Sequence, residues 1–240
     1  MLRRTPPIKR MAPLERQLAA AAAHREASGR PLVTLSYAQS LDGSLSLARG
    51  VQTAISGPES LAMTHALRAA HAAIAVGIGT LLADDPQLSV RWTDGPNPQA
   101  IVLDSQLRTP ATAKLLQSDP APWVFCVNDA PEEAERKLQT AGAQVTRLVA
   151  GEDGRVALLA FLNELGRRGV NSLMVEGGAA LITSFLQRGL ADQVAITIAP
   201  LFIGGLKAVE ALASSADFPR IADPQVERHG EDFVIWGALA

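Results

Sequence analysis

The sequence predicts an α/β fold: a mostly parallel central sheet with an antiparallel C-terminal strand and helices on both faces. Two observations carry the prediction. Short apolar runs alternate with helical patterns of about 10–15 residues, which builds parallel strands through right-handed crossovers. The last strand, 232–236, has no convincing helix before it, since "FIGGLKAVEALASSADFPRIADP" is mixed and loop-like, so it is expected to run antiparallel. No repeat, low-complexity linker or charge block divides the 240 residues. One domain over 31–240 is expected, behind an N-terminal tail and helix over 1–30.

In chain order, 1–12 reads as a loose tail and 14–27 as an alanine-rich helix at the domain edge. "PLVTLSYA" (31–38) reads as a strand bounded by Gly29-Arg30-Pro31 and the Asp42-Gly43 turn. In "GPESLAMTHALRAAH", Ser56 is placed as N-cap, with Pro58 and Glu59 in the first turn. Leu61, Ala62, Ala66 and Leu67 then share an apolar face, and mid-helix His65 is expected to be partly exposed. Strand 73–76, a short helix near 79–83 and strands 100–103 and 123–127 follow. Helix 131–141, strand 144–148, helix 155–168 ending at Gly169, strand 172–175, helix 178–188 and strand 193–199 complete the run.

Composition removes several classes of function. Hydrophobic residues make up 48%, enough for a sizeable core, and 22 basic residues against 24 acidic ones leave no electrostatic footprint for nucleic acid. The single cysteine, Cys126, sits in "PWVFCVN" and reads as buried strand filler, so neither an internal disulfide nor a cysteine-rich metal site is expected. No apolar run approaches the roughly 20 residues of a membrane helix. The start is broken by prolines and by Glu15 and Arg16, which argues against a signal segment and for a cytoplasmic protein. His24, His65, His71 and His229 are dispersed without metal-ligand spacing, and the motifs of zinc deaminases, α/β-hydrolases and P-loop triphosphatases are all missing. No metal is expected.

Ligands of open α/β sheets bind beyond the carboxyl ends of the strands, and three strand ends here carry unusual chemistry. "AIAVGIGTLLADDPQLSVR" (Ala73–Arg91) sets Gly77, Gly79, Thr80, Asp84 and Arg91 after a buried strand. "IVLDSQLR" ends on Asp104 and Ser105, with Arg108 close behind; Ser105 and Arg108 are the nearest donors for a cofactor 2′-phosphate. "LMVEGGAALITSFLQRG" puts Glu176 and Gly177-Gly178 directly before a helix, a layout that suits a pyrophosphate on helix amides. At Gly178 both positive φ and close backbone approach call for glycine. Each end also has a plainer reading: turn geometry for the glycines, a helix-ending turn for Asp84-Asp85-Pro86, a dipole-stabilising acid for Glu176. The three together favour a phosphate-bearing cofactor.

"VTLSYAQSLDGSLSL", "LRAAHAAIAVGIGTLLADDPQLSVR", "NPQAIVLDSQLRTP" and "SLMVEGGAALITSFLQRGLADQVAITIAPLFIGG" occur in that order. From about Pro31 to Trp236 the chain resembles the pyrimidine-phosphate reductase family of riboflavin biosynthesis. The resemblance implies a dihydrofolate-reductase-like fold, NADPH as hydride donor and a 5-phosphoribosylamino-pyrimidine whose ribosyl group is reduced at C1 to a ribityl chain. It places Ala38, Thr80, Asp84, Ser105 and the turn Gly178, Ala179, Ala180, Leu181, Ile182, Thr183 and Ser184 at the cofactor. Arg68, Leu88, Arg91 and Glu176 fall at the substrate, the arginines as phosphate ligands. Asp84 and Glu176 are the expected catalytic pair, Asp84 steering an iminium-like charge or relaying a proton. A homodimer is implied as well. Ser44, Gln52 and Ala54 depart from the family pattern at the substrate edge. A same-fold reductase of another pterin-like substrate and a non-catalytic dinucleotide-binding protein are the alternatives at this point.

Overall fold

Long buried runs determine where the sheet forms. In the computed structural model, which describes residues 17–212 and 218–240, β1 (Leu32–Ser40), β3 (Ala73–Gly77), β4 (Gln99–Leu103), β5 (Trp123–Val127) and β7 (Ser172–Val175) each carry four or more consecutive buried residues. Such two-sided burial belongs to strands covered on both faces. With β6 (Gln144–Leu148), β8 (Gln193–Ala199), β10 (Ile221–His229) and β11 (Asp232–Leu239) they form a nine-stranded sheet in the order β10-β11-β8-β1-β7-β3-β4-β5-β6. The strands from β8 to β6 are parallel, β11 is antiparallel to β8, and β10 pairs antiparallel with β11. Around them pack α1 (Ala21–Ser28), α2 (Pro58–Ala70), α3 (Ile78–Asp84), α4 (Glu132–Thr140), α5 (Leu158–Arg167) and α6 (Ala179–Gln187). The expected tail over 1–12 and the start of the first helix lie outside the described residues.

Four local expectations are corrected. Edge strand β10 falls where only loop was read: Ala222 to Val226 are all exposed, and the register slips between Ala222 and Gln225, around Pro224. Proline is tolerated there because an edge needs no donor on its outer side. A second, two-stranded sheet joins β2 (Ser44–Ser46) to β9 (Leu206–Lys207). Helix α5 starts at Leu158 rather than 155, because 149–157 fold as a tight hairpin closed by Ala157 N–H to Val149 O at 3.0 Å. Finally, α2 is capped from far away. Gly57, not Ser56, is its N-cap residue and brings no side chain. Buried Asp232 on β11 fills the role, accepting the Gly57 N–H at 2.8 Å and the Ser60 hydroxyl.

The buried face of α2 is Ala62, Met63, His65 and Leu67, with Leu61 and Ala66 only half-buried; His65 is 3% exposed, not partly exposed as expected. Behind the helix, His71 donates from Nδ1 to Leu67 O (2.7 Å) and so accepts at Nε2 from the Thr34 hydroxyl (2.8 Å). Thr34 in turn accepts from Gln193 Nε2 at 2.9 Å, which links α2, β1 and β8 through one buried chain. Burial pushes the His71 imidazole down to about 4. Cys126 is buried strand filler, as expected, and burial raises its thiol to about 11.

Candidate active site

Because β7, β3 and β4 are parallel neighbours, their carboxyl ends lie side by side. A cleft of about 590 Å³ opens across them, the size of a typical ligand pocket. It gathers Thr80 and Asp84 from α3, Ser105 after β4, and Gly178 to Leu181 with Ser184 from the start of α6. Three expected cofactor residues do not line it. Ala38 is half-buried on β1, Ile182 is a fully buried core residue, and buried Thr183 uses its hydroxyl to accept Glu210 N–H at 2.8 Å.

Glycine is explained here by space rather than by φ. Gly178 is extended (φ −76°, ψ 174°), so the expected positive φ is not found. A Cβ there would approach Thr80 Oγ1 to 3.3 Å, and one on Gly177 would approach Leu181 Cβ to 2.9 Å. No side chain caps α6, which leaves its first-turn amides facing the cleft as anion donors. Gly79, exposed at the cleft, would meet nothing within 4 Å.

The two acids of Asp84-Asp85 divide the two readings between them. Asp85 is the turn residue: it takes a left-handed φ of 41° and accepts Lys114 N–H at 2.9 Å. Asp84 lines the cleft, and burial pushes its carboxyl above the usual carboxylate range. A similar division holds after β4. Buried Asp104 accepts Thr109 N–H (2.7 Å) and hydroxyl (2.8 Å), whereas Ser105 faces the cleft and accepts Val156 N–H at 3.1 Å. Arg108, the other donor expected for a 2′-phosphate, is exposed and lines none of the cleft.

The expected substrate residues gather in a second cluster. Arg68 grips Glu176 with both prongs, Nε to Oε1 and Nη2 to Oε2, each 2.6 Å, and its Nη1 donates to Ser89 O at 3.1 Å. Its fork, expected on a phosphate, is thus engaged by the neighbouring carboxylate. Burial alone would lower the Arg68 guanidinium, but the charge and hydrogen bonds of Glu176 outweigh it and hold it above the ordinary arginine value. Exposed Arg91 donates to Ser89 Oγ (2.9 Å) and Gln87 Oε1 (3.2 Å), while its backbone N–H donates to His65 Nδ1 at 3.0 Å. Leu88, three residues before Arg91, is buried and takes a left-handed φ of 55°. Burial, then the Arg68 and Arg91 charges, push His65 down to about 4 and keep it neutral. Two arginines against one glutamate leave this corner with a surplus positive charge.

Asp42 was noticed in the sequence only as a turn. It accepts from Ser40 Oγ and Ser44 Oγ (both 2.6 Å), Lys207 Nζ (2.7 Å), Ile203 N–H (2.9 Å) and Gly204 N–H (3.0 Å), and so ties β2 to the loop before β9. Those donors, Lys207 foremost, hold its carboxyl well below the usual range. Ser44, a departure from the family pattern, is a working member of this knot, also accepting Gly205 N–H at 3.1 Å. Gln52 and Ala54 are exposed, with Thr53 between them lining the cleft. Cleft arginines Arg49 and Arg155 come from loops outside the quoted motifs, and Arg188 from the last residues of the third, where no role was expected of it.

The RibD C-terminal domain family model matches residues 31–235. The chain is 40% identical over 216 residues to the 2,5-diamino-6-ribosylamino-4(3H)-pyrimidinone 5′-phosphate reductase of Archaeoglobus fulgidus, covering 86% of this chain and 97% of that one. It is 36% identical over 210 residues to the riboflavin biosynthesis protein RibD of Aquifex aeolicus, spanning 86% of this chain but 57% of that longer protein. Among solved structures it is similar to Acinetobacter baumannii RibD, with a TM-score of 0.81 at 26% identity over 93% of this chain and 62% of that one. The riboflavin biosynthesis reductase Rib7 of Saccharomyces gives a TM-score of 0.75 at 28% identity, over 96% and 100% of the two chains.

Proposed function

We propose that this chain, which belongs to the RibD C-terminal domain family, reduces a 5-phosphoribosylamino-pyrimidine to its ribitylamino-pyrimidine phosphate in riboflavin biosynthesis, with NADPH as reductant. Residues 31–240 act as the reductase domain behind the 1–30 segment, in the cytoplasm and as a homodimer. The supporting observation is the meeting of two unlike subsites at the ends of β7 and β3. One offers uncapped helix amides beside glycines, and the other offers surplus positive charge around a carboxylate.

The residues suit a dinucleotide: the cleft is large enough, Gly79 leaves open space in its wall, and α6 offers free first-turn amides. Gly178 to Leu181 and Ser184 would hold the pyrophosphate, Thr80 and Asp84 the reacting end, and Ser105 the adenosine side. When bound, NADPH supplies the two electrons and hydrogen that reduce C1. The chain's own part is orientation, electrostatics and a proton. Arg91 takes the substrate phosphate as a charge-assisted contact. Glu176, oriented by Arg68, keeps a lone pair on each oxygen for the pyrimidine amino or amide hydrogens. As the sugar ring opens, its oxygen leaves C1 and needs a proton. Asp84, whose pKa is raised by burial, holds one at a higher pH than an exposed carboxyl would.

An NADPH-oxidation assay with the deaminated and the non-deaminated phosphoribosyl pyrimidine, side by side, tests this. Turnover of at least one is expected. Oxidation with neither overturns the proposal.

A further inference from the structure

We infer that Arg155 reads the adenosine 2′-phosphate and so sets the preference for NADPH over NADH; the inference rests on the cofactor reading above. Of the three arginines in the cleft wall, two are engaged. Arg49 pairs with Glu210 at 3.0 Å and Arg188 with Asp153 at 3.6 Å. Among the described residues the Arg155 guanidinium has no hydrogen-bond acceptor and no ion-pair partner, although it lines the same cleft.

Its backbone is held firmly. Gly151 N–H donates to Arg155 O (2.7 Å), Gly154 N–H to Gly151 O (3.0 Å) and Arg155 N–H to Asp153 Oδ1 (3.1 Å). One residue on, Val156 N–H reaches Ser105 Oγ, which fastens the hairpin to the end of β4. In the sheet, β4 to β6 lie on one side of β7, and β1 with its β2–β9 loops lies on the other. The hairpin and the β2–β9 pair therefore line the cleft from opposite sides of β7, the hairpin on the side of Ser105, which takes the adenosine in the reading above.

Dinucleotide sites read an unphosphorylated ribose 2′-hydroxyl with an acid and a 2′-phosphate with an arginine. Both residue types stand on this wall, as Glu152, Asp153 and Arg155. The Asp153 carboxylate is occupied by Arg155 N–H and Arg188. That leaves Arg155 as the free cation and Glu152 as the competing acid. A planar fork matches a phosphate dianion with two parallel charged hydrogen bonds.

Calorimetric titration with 2′,5′-ADP and with 5′-AMP, which differ only by the 2′-phosphate, separates that group from the rest of the cofactor and needs no turnover. Wild type should prefer 2′,5′-ADP. Arg155→Ala should weaken 2′,5′-ADP binding about 10- to 100-fold while leaving 5′-AMP within about twofold. Arg155→Lys should recover part of the loss, and Glu152→Gln should keep the preference. Wild-type affinity for 2′,5′-ADP in Arg155→Ala, or an equal loss for both ligands, overturns the role of Arg155 alone. A wild type that binds the two ligands equally overturns the NADPH reading together with it.

Discussion

A side chain added at Gly79 would meet nothing within 4 Å, whereas all three guanidinium nitrogens of Arg68 already have an acceptor. The glycine-lined cleft is shaped by missing side chains and offers backbone amides. The arginine corner is shaped by side chains that hold one another: Arg68 on Glu176 and Ser89, His65 on the backbone of Arg91. Changes at its open positions, Gly79 above all, should therefore alter binding and leave stability alone. Changes in the corner should alter both.

The largest effect is expected from Arg68→Ala. It strands the Glu176 carboxylate, 18% exposed, beside an unpaired Ser89 carbonyl. We expect a loss of about 3 kcal/mol in urea denaturation, at the low end for a buried pair, together with near-complete loss of turnover. Arg68→Met combined with Glu176→Gln should regain most of the stability and none of the activity. Equal stability of the single and double variants would mean that the corner is not interlocked.

Gly79→Leu sharpens the other side. It should weaken NADPH binding ~10- to 100-fold by filling the cleft, with the thermal midpoint unchanged. Gly178→Val should lose binding as well, and some stability through its 3.3 Å approach to Thr80. A lower midpoint in Gly79→Leu would show that the wall is packed rather than open.

Arg91→Ala isolates the charge that the corner leaves for substrate. A lost charge-assisted contact of about 1.5–3 kcal/mol predicts a ~10- to 100-fold fall in kcat/KM. NADPH affinity should be unchanged, and Arg91→Lys should recover only part. Wild-type kinetics in Arg91→Ala would remove the phosphate role.

The smallest effect at neutral pH belongs to His71. Its pKa falls from about 6.5 unfolded to about 4 folded, so the fold keeps it neutral. Its contribution is complete above the unfolded pKa and is lost as pH falls from 6.5 through 4, on the order of 3 kcal/mol in all. Urea midpoints of wild type should drop across that window, with buried His65 adding to the slope. His71→Gln should flatten the curve; an unchanged slope would assign the acid sensitivity elsewhere.

What could be read from sequence follows from how far each cause reaches along the chain. The ends of β3, β4 and β7 are legible because a buried run and polar residues are adjacent in sequence, with glycines as well at β3 and β7. Strand β10 was not, because its exposed residues have no inward face to alternate against. The hairpin over 149–157 was partly absorbed into a helix because Val156 and Leu158 lead directly into an apolar helical pattern. In the site, Thr80, Asp84 and Ser105 were found from local signals. That Arg68 would close on Glu176, 108 residues away, was beyond any spacing argument, since sequence shows which residues are charged and not which of them meet.

The carboxylate that caps α2 lies 175 residues beyond the amide it receives. During synthesis the helix carrying His65 and Arg68 emerges early and stays without its cap until β11 has been made. Strand β1 waits as well, since its partners β7 and β8 are among the later elements. Contacts of this range are slow to close. A ribosome that stalls before Asp232 thus leaves a chain in which Arg68 and Glu176 are both present while the helix that carries Arg68 still lacks its cap.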